Sequence, residues 1–146
     1  MEIMRPNALI NINGTLTDPE NAKISVFDRS YLYGDSLYEV VRTHGGVPFA
    51  LGEHLRRLEE SARLCNMPLS QTSEFFATEI QRTIQAFRAK PGNSALETYC
   101  RLVVSRGAGI IGSRSPNGCS PTGSSCTRSA ATTGRSTPPV RRIAIS

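Results

Sequence analysis

Several features that would define a class of protein are missing from this sequence. No apolar run approaches the roughly 18–20 residues that a transmembrane helix requires, so no membrane partner is predicted. The first residues, MEIMRPN, lack the basic stretch followed by an apolar one that marks a secretory signal, and we expect a cytoplasmic protein. The chain has four cysteines and two histidines. Because no cysteine pair has C-x-x-C spacing, no metal site is predicted.

Acidic residues are absent from the last quarter of the chain, and this absence concentrates the net charge there. Residues 1–112 hold all twelve acidic residues and are formally neutral. The net charge of +5 therefore comes from arginines beyond residue 112. Such an excess often indicates nucleic-acid binding. Because these arginines are scattered and have no aromatic residues between them, we predict that the protein does not bind nucleic acid.

The segment 113–140 also lacks most of the residues that build a core. It consists mainly of Ser, Thr, Gly and Pro, and it contains no acidic residue, Lys, Leu, Ile, Met or aromatic residue. Such a composition cannot bury enough apolar surface to offset the entropy of ordering. The sequence predicts disorder here, or a local disturbance of the reading frame. The last six residues, RRIAIS, regain the character of a strand.

What the first 112 residues contain is a series of short strands and two amphipathic helices. Asn13-Gly14 supplies the backbone conformation of a two-residue hairpin turn. Alternating apolar residues predict strands over 23–27, 37–43 and 96–106, with a turn over 31–35 and a second hairpin at Gly45-Gly46. A period of three to four residues predicts a helix from Gly52 to about Cys65, and another after the start signal Ser70-Gln71-Thr72-Ser73. This order indicates an α+β fold with an antiparallel sheet.

The predicted strand over 37–43 is mixed on both of its faces. Alternation places Tyr38 and Arg42 on one side, and Glu39 and Val41 on the other. One polar or charged side chain must therefore point inward, which costs free energy unless it is paired or faces a site. The cysteines Cys65 and Cys100 fall in apolar periodic segments, where we expect small buried side chains.

Three spaced motifs resemble one known family. The stretches ISVFDRSYLYGDSLYEVVRTHGG, EHLRRLEESARL and ETYCRLVVSRGAGIIG are similar, in this order, to the small N-terminal domain of fold-type IV pyridoxal-phosphate enzymes. These are the class-IV aminotransferases, which include branched-chain and D-amino-acid aminotransferases and the related aminodeoxychorismate lyase. The resemblance implies a hairpin-rich sheet with two helices, pyridoxal 5'-phosphate as cofactor, and a homodimer. It divides the chain into a small domain over 1–112, the segment 113–140, and a remnant of a second-domain strand over 141–146.

Family roles can be carried over where the motifs match. The arginine of the EH-x-x-RL helix is Arg57, which the resemblance implies to bind the cofactor phosphate; the alternative is an exposed helical arginine. Tyr33 resembles the tyrosine that reaches toward the partner subunit's pocket, and Tyr38 an aromatic wall beside the substrate. Tyr99 and Arg101 match the Tyr-x-Arg pair that helps to recognise the substrate carboxylate. For Tyr99, core packing is the alternative.

The catalytic residue of the family is a lysine that forms a Schiff base with the cofactor. The lysines here are Lys23 and Lys90, and neither stands in that sequence context. The resemblance implies that this lysine lies beyond Ser146. We therefore predict a truncated aminotransferase that transfers an amino group between a branched-chain-like amino acid and a 2-oxo acid. The alternatives are an inactive fragment, a lyase-type relative, and a disordered tail that binds nucleic acid.

Overall fold

The fold is known from a computed structural model that describes residues 7–109 and 141–145. Within these residues, one antiparallel sheet has the strand order β2-β1-β6-β5-β3-β4. The α+β fold with an antiparallel sheet is thus confirmed. In chain order, the elements are β1 Leu9–Ile12, β2 Thr15–Thr17, α1 Arg29–Tyr33, β3 Ser36–His44, β4 Val47–Pro48, α2 Leu51–Leu64, α3 Ser73–Arg88, β5 Tyr99–Ser105 and β6 Arg141–Ile145.

The two long helices cover one face of the sheet and form the core with it. Their predicted apolar stripes are the buried ones, with Leu58 and Phe87 each only 1% exposed. From the sheet, Val41, Leu102 and Val104 point toward the helices. Fully burying one such side chain contributes roughly 1.5–3 kcal/mol. The helices add Leu55, Leu58, Phe76, Ile80, Ile84 and Phe87 to this core.

Local signals fixed several element boundaries correctly. Asn13 and Gly14 have φ angles of 53° and 91°, which the tight turn between β1 and β2 requires. Thr72 is the N-cap of α3, where its side chain accepts a hydrogen bond from the Phe75 N–H. The helix α2 ends where Asn66 adopts a φ of 49°. The prediction of a buried Cys65 is wrong, since this residue is the exposed C-cap of α2; Cys100 is buried as expected.

The predicted strand over 23–27 does not form. The Phe27 N–H donates to Ser25 Oγ at 3.1 Å, and the Asp28 N–H donates to the Ser25 carbonyl at 3.0 Å. These bonds turn the chain, and Val26 is left 64% exposed. The predicted turn after it is instead the short helix α1. Asp28 accepts from the Ser30 N–H at its start, and Gly34 ends it with a φ of 67°.

The strand β6 pairs with β1 on one side and with β5 on the other. The register places Leu102 opposite Ile143, which is buried in the core. The strand character predicted for the last residues is therefore confirmed, and its backbone joins the sheet of the small domain. The boundaries of the domains stay predictions. The segment 113–140 lies outside the described residues.

None of the helices in the described ranges is long and apolar enough to cross a membrane.

Candidate functional site

Four exposed side chains form a strip on the face of the sheet that the helices leave open. Tyr38 and Arg42 come from β3, and Tyr99 and Arg101 from β5. The register pairs Arg42 with Tyr99 directly and places Arg101 opposite Val40. The guanidinium carbon of Arg101 lies 4.4 Å from the ring centre of Tyr38, and that of Arg42 lies 5.9 Å from Tyr99. We call these four residues the Tyr–Arg face.

The Tyr–Arg face contains two guanidinium groups, those of Arg42 and Arg101, and each lies against a tyrosine ring that restricts its orientation. Guanidinium groups bind carboxylates through two parallel hydrogen bonds. Tyr99 is 43% exposed, so its predicted alternative of core packing does not apply. Arg42 was not among the predicted site residues. Its position four residues after Tyr38, and therefore on the same face of the strand, was the signal that could have found it.

On the helix side of β3, Glu39 binds two residues of α2. The Arg57 Nε donates to Glu39 Oε1 at 2.7 Å, and Arg57 Nη2 donates to Oε2 at 2.5 Å. The His54 Nδ1 lies 2.8 Å from the same Oε2. Glu39 is only 5% exposed. We call these three residues the Glu39 cluster. It shows how the predicted inward polar group of this strand is satisfied.

The charges of the Glu39 cluster stabilise one another. The pKa of the Glu39 carboxyl is lowered mainly by the hydrogen bonds from Arg57; burial opposes this effect, and His54 adds to it. The same hydrogen bonds raise the pKa of Arg57. Glu39 therefore stays ionised at pH values at which an ordinary glutamate would begin to take up a proton.

Arg57 itself remains open to solvent despite this pairing. Its side chain is 65% exposed, whereas that of Glu39 is 6% exposed. Within residues 7–109 and 141–145, no protein atom accepts a hydrogen bond from Arg57 Nη1. An exposed guanidinium with one edge fixed and another edge open fits the phosphate of a cofactor in both charge and donor geometry.

The structure does not bring all the predicted site residues together. Neighbouring residues of a strand point to opposite sides, so Tyr38 and Glu39 face away from each other. Arg57 therefore lies on the helix side of β3, and the Tyr–Arg face lies on the other side. Tyr33 belongs to a third place, on α1, where the Arg29 guanidinium carbon lies 5.1 Å from its ring centre.

An ion-pair network anchors α1 to the rest of the domain. Asp35 accepts from Arg29 Nε at 2.8 Å and from Arg106 Nε at 3.0 Å. Arg106 also donates to the carbonyls of Cys65 and Asn66 at the end of α2. Burial opposes the ionisation of Asp35, but the two arginines outweigh it and lower its pKa. These ion pairs, together with the buried cap Asp28 and the hydrogen bond from the Arg29 N–H to the Gly107 carbonyl, hold the helix that carries Tyr33.

The two lysines occupy other positions. Lys90 Nζ lies 2.6 Å from Asp18 Oδ1, and Lys23 is exposed between β2 and α1. Among the residues that the structure describes, no group of three or more His, Cys, Asp or Glu could hold a metal ion.

This six-stranded antiparallel sheet, with helices on one face, has the fold of the small domain of fold-type IV aminotransferases. The family model "Amino-transferase class IV" matches residues 36–144, and the chain belongs to this family. The chain is 38% identical over 103 residues to a protein of Methanocaldococcus jannaschii named "Putative branched-chain-amino-acid aminotransferase", covering 70% of this chain and 34% of that protein. It is 35% identical over 74 residues to a D-alanine aminotransferase of Staphylococcus epidermidis, covering 51% of this chain and 26% of the relative.

Solved structures share the fold. The branched-chain amino acid aminotransferase of Escherichia coli superposes with a TM-score of 0.70 at 22% identity, covering 94% of this chain and 39% of that one. A hypothetical aminotransferase from Mycobacterium tuberculosis, in a PLP-bound form, gives a TM-score of 0.69 at 22% identity, covering 96% and 40%. The chain spans between about a quarter and a third of the length of these curated relatives.

Proposed function

We propose that this chain forms the small domain of a pyridoxal-phosphate-dependent aminotransferase. The reaction would transfer an amino group between a branched-chain-like amino acid and a 2-oxo acid. The observation that carries this proposal is Arg57, a solvent-exposed guanidinium fixed on one edge by a buried carboxylate. Two of the relatives act, by their names, on different amino acids. The preference for branched-chain amino acids rests on the match of Tyr99 and Arg101 to the Tyr-x-Arg pair.

Pyridoxal 5'-phosphate, when bound, supplies an electron sink for the carbanion of the substrate. In this chain, Arg57 would bind its phosphate through Nη1 and the outer N–H of Nη2. These donors are strong because the guanidinium is permanently charged. No second phosphate-binding residue is proposed within the described ranges.

We assign substrate recognition to the Tyr–Arg face. Arg101 would bind the carboxylate, while Tyr38 limits the directions that its side chain can take. Tyr99 lies beside Arg42 in the same strip and would bound the pocket on that side. Because this strip and Arg57 lie on opposite sides of β3, the complete active site needs further elements that join the two.

The reaction also needs a lysine. Neither Lys23 nor Lys90 lies in the Glu39 cluster or on the Tyr–Arg face. We propose that the catalytic lysine lies outside these 146 residues and that the chain by itself does not transaminate. Purified protein, incubated with the cofactor, 2-oxoglutarate and either leucine or D-alanine, should yield no glutamate. Turnover above that of the cofactor alone would contradict this part of the proposal.

A homodimer is also proposed, with Tyr33 directed toward the partner subunit. Support comes from the exposed side chains next to it: Tyr33 is 50% exposed, Tyr31 68% and Phe27 49%. Light scattering on the purified chain tests this assembly. A monomer at all concentrations, unchanged by Tyr31→Ala, would contradict it.

The phosphate site is tested by comparing pyridoxamine 5'-phosphate with pyridoxamine in equilibrium dialysis. Neither compound carries an aldehyde, so neither can react with the two lysines. We expect the phosphorylated compound to bind about tenfold more tightly, which corresponds to roughly 1.4 kcal/mol. Arg57→Gln should abolish this preference. Arg56→Gln, on the neighbouring exposed residue, should keep it; equal affinities of the wild-type chain for both compounds would contradict the site.

A further inference from the structure

Glu39 is a buried carboxylate, and its ion pair with the exposed Arg57 adds little to the stability of the fold. It is one of two carboxylates, with Asp28, that are buried within the described ranges. Burying a carboxylate is unfavourable unless hydrogen bonds to cations compensate. Its main partner, Arg57, is mostly exposed, and exposed ion pairs contribute little to folding. A purely structural role would be served as well by an apolar residue at this place in the core.

The geometry of the cluster indicates another role for this carboxylate. Glu39 occupies both Nε and Nη2 of Arg57, which fixes the plane of the guanidinium and leaves Nη1 directed elsewhere. His54 binds Oε2 through Nδ1 and so fixes the carboxylate in turn. An unrestrained arginine would lose many rotamers on binding an anion, whereas this one has lost them already.

We infer that Glu39 is a positioning residue, which orients Arg57 to receive the phosphate of the cofactor. The inference rests on the proposed function, because it requires Arg57 to be the phosphate ligand. Glu39 would not touch the cofactor. It would act only through the fork that it forms with Arg57.

The sign of one effect separates positioning from simple electrostatics. Glu39→Gln removes a negative charge near the phosphate, so Coulomb attraction alone predicts tighter binding of an anion. Loss of the two-point contact predicts weaker binding, since Arg57 is then free to turn away. Glu60 is a matched control, because it is exposed and lines the same surface depression as Arg57. Glu60→Gln also removes a negative charge there but leaves the fork intact.

The experiment measures the ratio of affinities for pyridoxamine 5'-phosphate and pyridoxamine in the full 146-residue chain. We expect Glu39→Gln to lower this ratio from about tenfold to the value of Arg57→Gln. Glu60→Gln should leave the ratio unchanged or raise it. In the background of Arg57→Gln, the further change Glu39→Gln should have no effect on the ratio, as for two residues that act as one unit.

Thermal unfolding of each variant shows whether it is folded under the conditions of binding. If Glu39→Gln does not fold, Arg57→Lys takes its place, because lysine keeps the charge but cannot form the fork. We expect Arg57→Lys to lose the preference as Arg57→Gln does; an undiminished preference would overturn the inference. A folded Glu39→Gln that keeps or increases the ratio would also overturn it, with the phosphate site still standing. A wild-type chain without any preference would overturn the proposed phosphate site and the inference together.

Discussion

Arg101 lies over the ring of Tyr38 across two neighbouring strands, with 4.4 Å between the guanidinium carbon and the ring centre. Both side chains are exposed, and Tyr38 is 59% accessible to solvent. Such a contact at the surface contributes little to folding. The contact instead restricts the orientation of the Arg101 guanidinium on the exposed face of the sheet.

Replacing Arg101 should therefore leave the domain nearly as stable as before. We expect Arg101→Gln to lower the free energy of unfolding by less than about 1 kcal/mol. Leu102→Ala, one residue further in the same strand, removes a side chain that is 1% exposed. It should cost about 2–5 kcal/mol. Urea unfolding measures both, and similar losses for the two variants would show that Arg101 has a structural role.

Asp35 should make part of the domain's stability dependent on pH. Its folded-state pKa lies below the ordinary value of 3.8. Its contribution is therefore complete above pH 3.8 and is lost as the pH falls through the lower folded-state value. Asp35→Asn should cost about 1–3 kcal/mol at pH 7, because two partly buried guanidinium groups lose their partner.

Thermal unfolding between pH 7 and pH 2.5 checks this dependence. The difference between the wild-type chain and Asp35→Asn should shrink as the solution becomes acidic. Asp18→Asn is the control: Asp18 also binds a cation, Lys90, but its side chain is 62% exposed. This variant should change little at either pH. A constant difference for Asp35→Asn would show that its charge is not the cause.

Two glycines should respond in opposite directions to the same substitution. Gly46 has a φ of +79°, and an added Cβ would lie 2.7 Å from the Arg88 guanidinium carbon. Arg88 is engaged there by the Leu96 carbonyl at 2.8 Å. Gly46→Ala should therefore destabilise the domain by about 1–3 kcal/mol.

Gly52, in the first turn of α2, meets nothing within 4 Å of an added Cβ. Gly52→Ala should stabilise the domain by up to about 1 kcal/mol, since alanine is the better helix former. The midpoints of urea unfolding give both changes. Equal effects would contradict the difference in backbone conformation and surroundings.

The two cysteines of the small domain should differ in reactivity toward iodoacetamide. Burial raises the pKa of Cys100 to about 12. The thiolate is the reactive form, and Cys65 is exposed. Peptide mapping of the folded chain should therefore show Cys65 labelled well before Cys100. Unfolding in urea should remove most of that difference, and rapid labelling of Cys100 in the native chain would contradict its burial.

The sequence predicted turns and helix caps better than it predicted which segments pack or pair with each other. The hairpin at Asn13-Gly14 and the cap at Thr72 follow from local chemistry, and both are found. The strand predicted over 23–27 was wrong because a strand needs a partner strand. Here the backbone N–H groups of Phe27 and Asp28 donate to Ser25 in a turn instead. Cys65 continued a helical stripe past the point where the helix had ended.

The candidate site shows the same limit more clearly. Alternation indicated that one polar or charged side chain of β3 must point inward and needs a partner, but it identified neither Glu39 as that side chain nor Arg57 and His54 as its partners. The Tyr–Arg face needed the register of β3 against β5, which places Arg42 beside Tyr99. Motif spacing also could not show that Arg57 and Arg101 lie on different sides of a strand. All three features depend on which distant segments pair with each other, and a local sequence pattern carries no information on that pairing.

The central place of β6 has a consequence for how the chain is made. Synthesis runs from the amino end, so the hairpin of β1 and β2 and the group of β5, β3 and β4 both precede the strand that connects them. Until residues 141–145 leave the ribosome, each assembly presents a strand edge with unpaired backbone groups. Such edges attract other chains and are bound by chaperones. The nascent domain is therefore most vulnerable to aggregation just before its last described strand emerges.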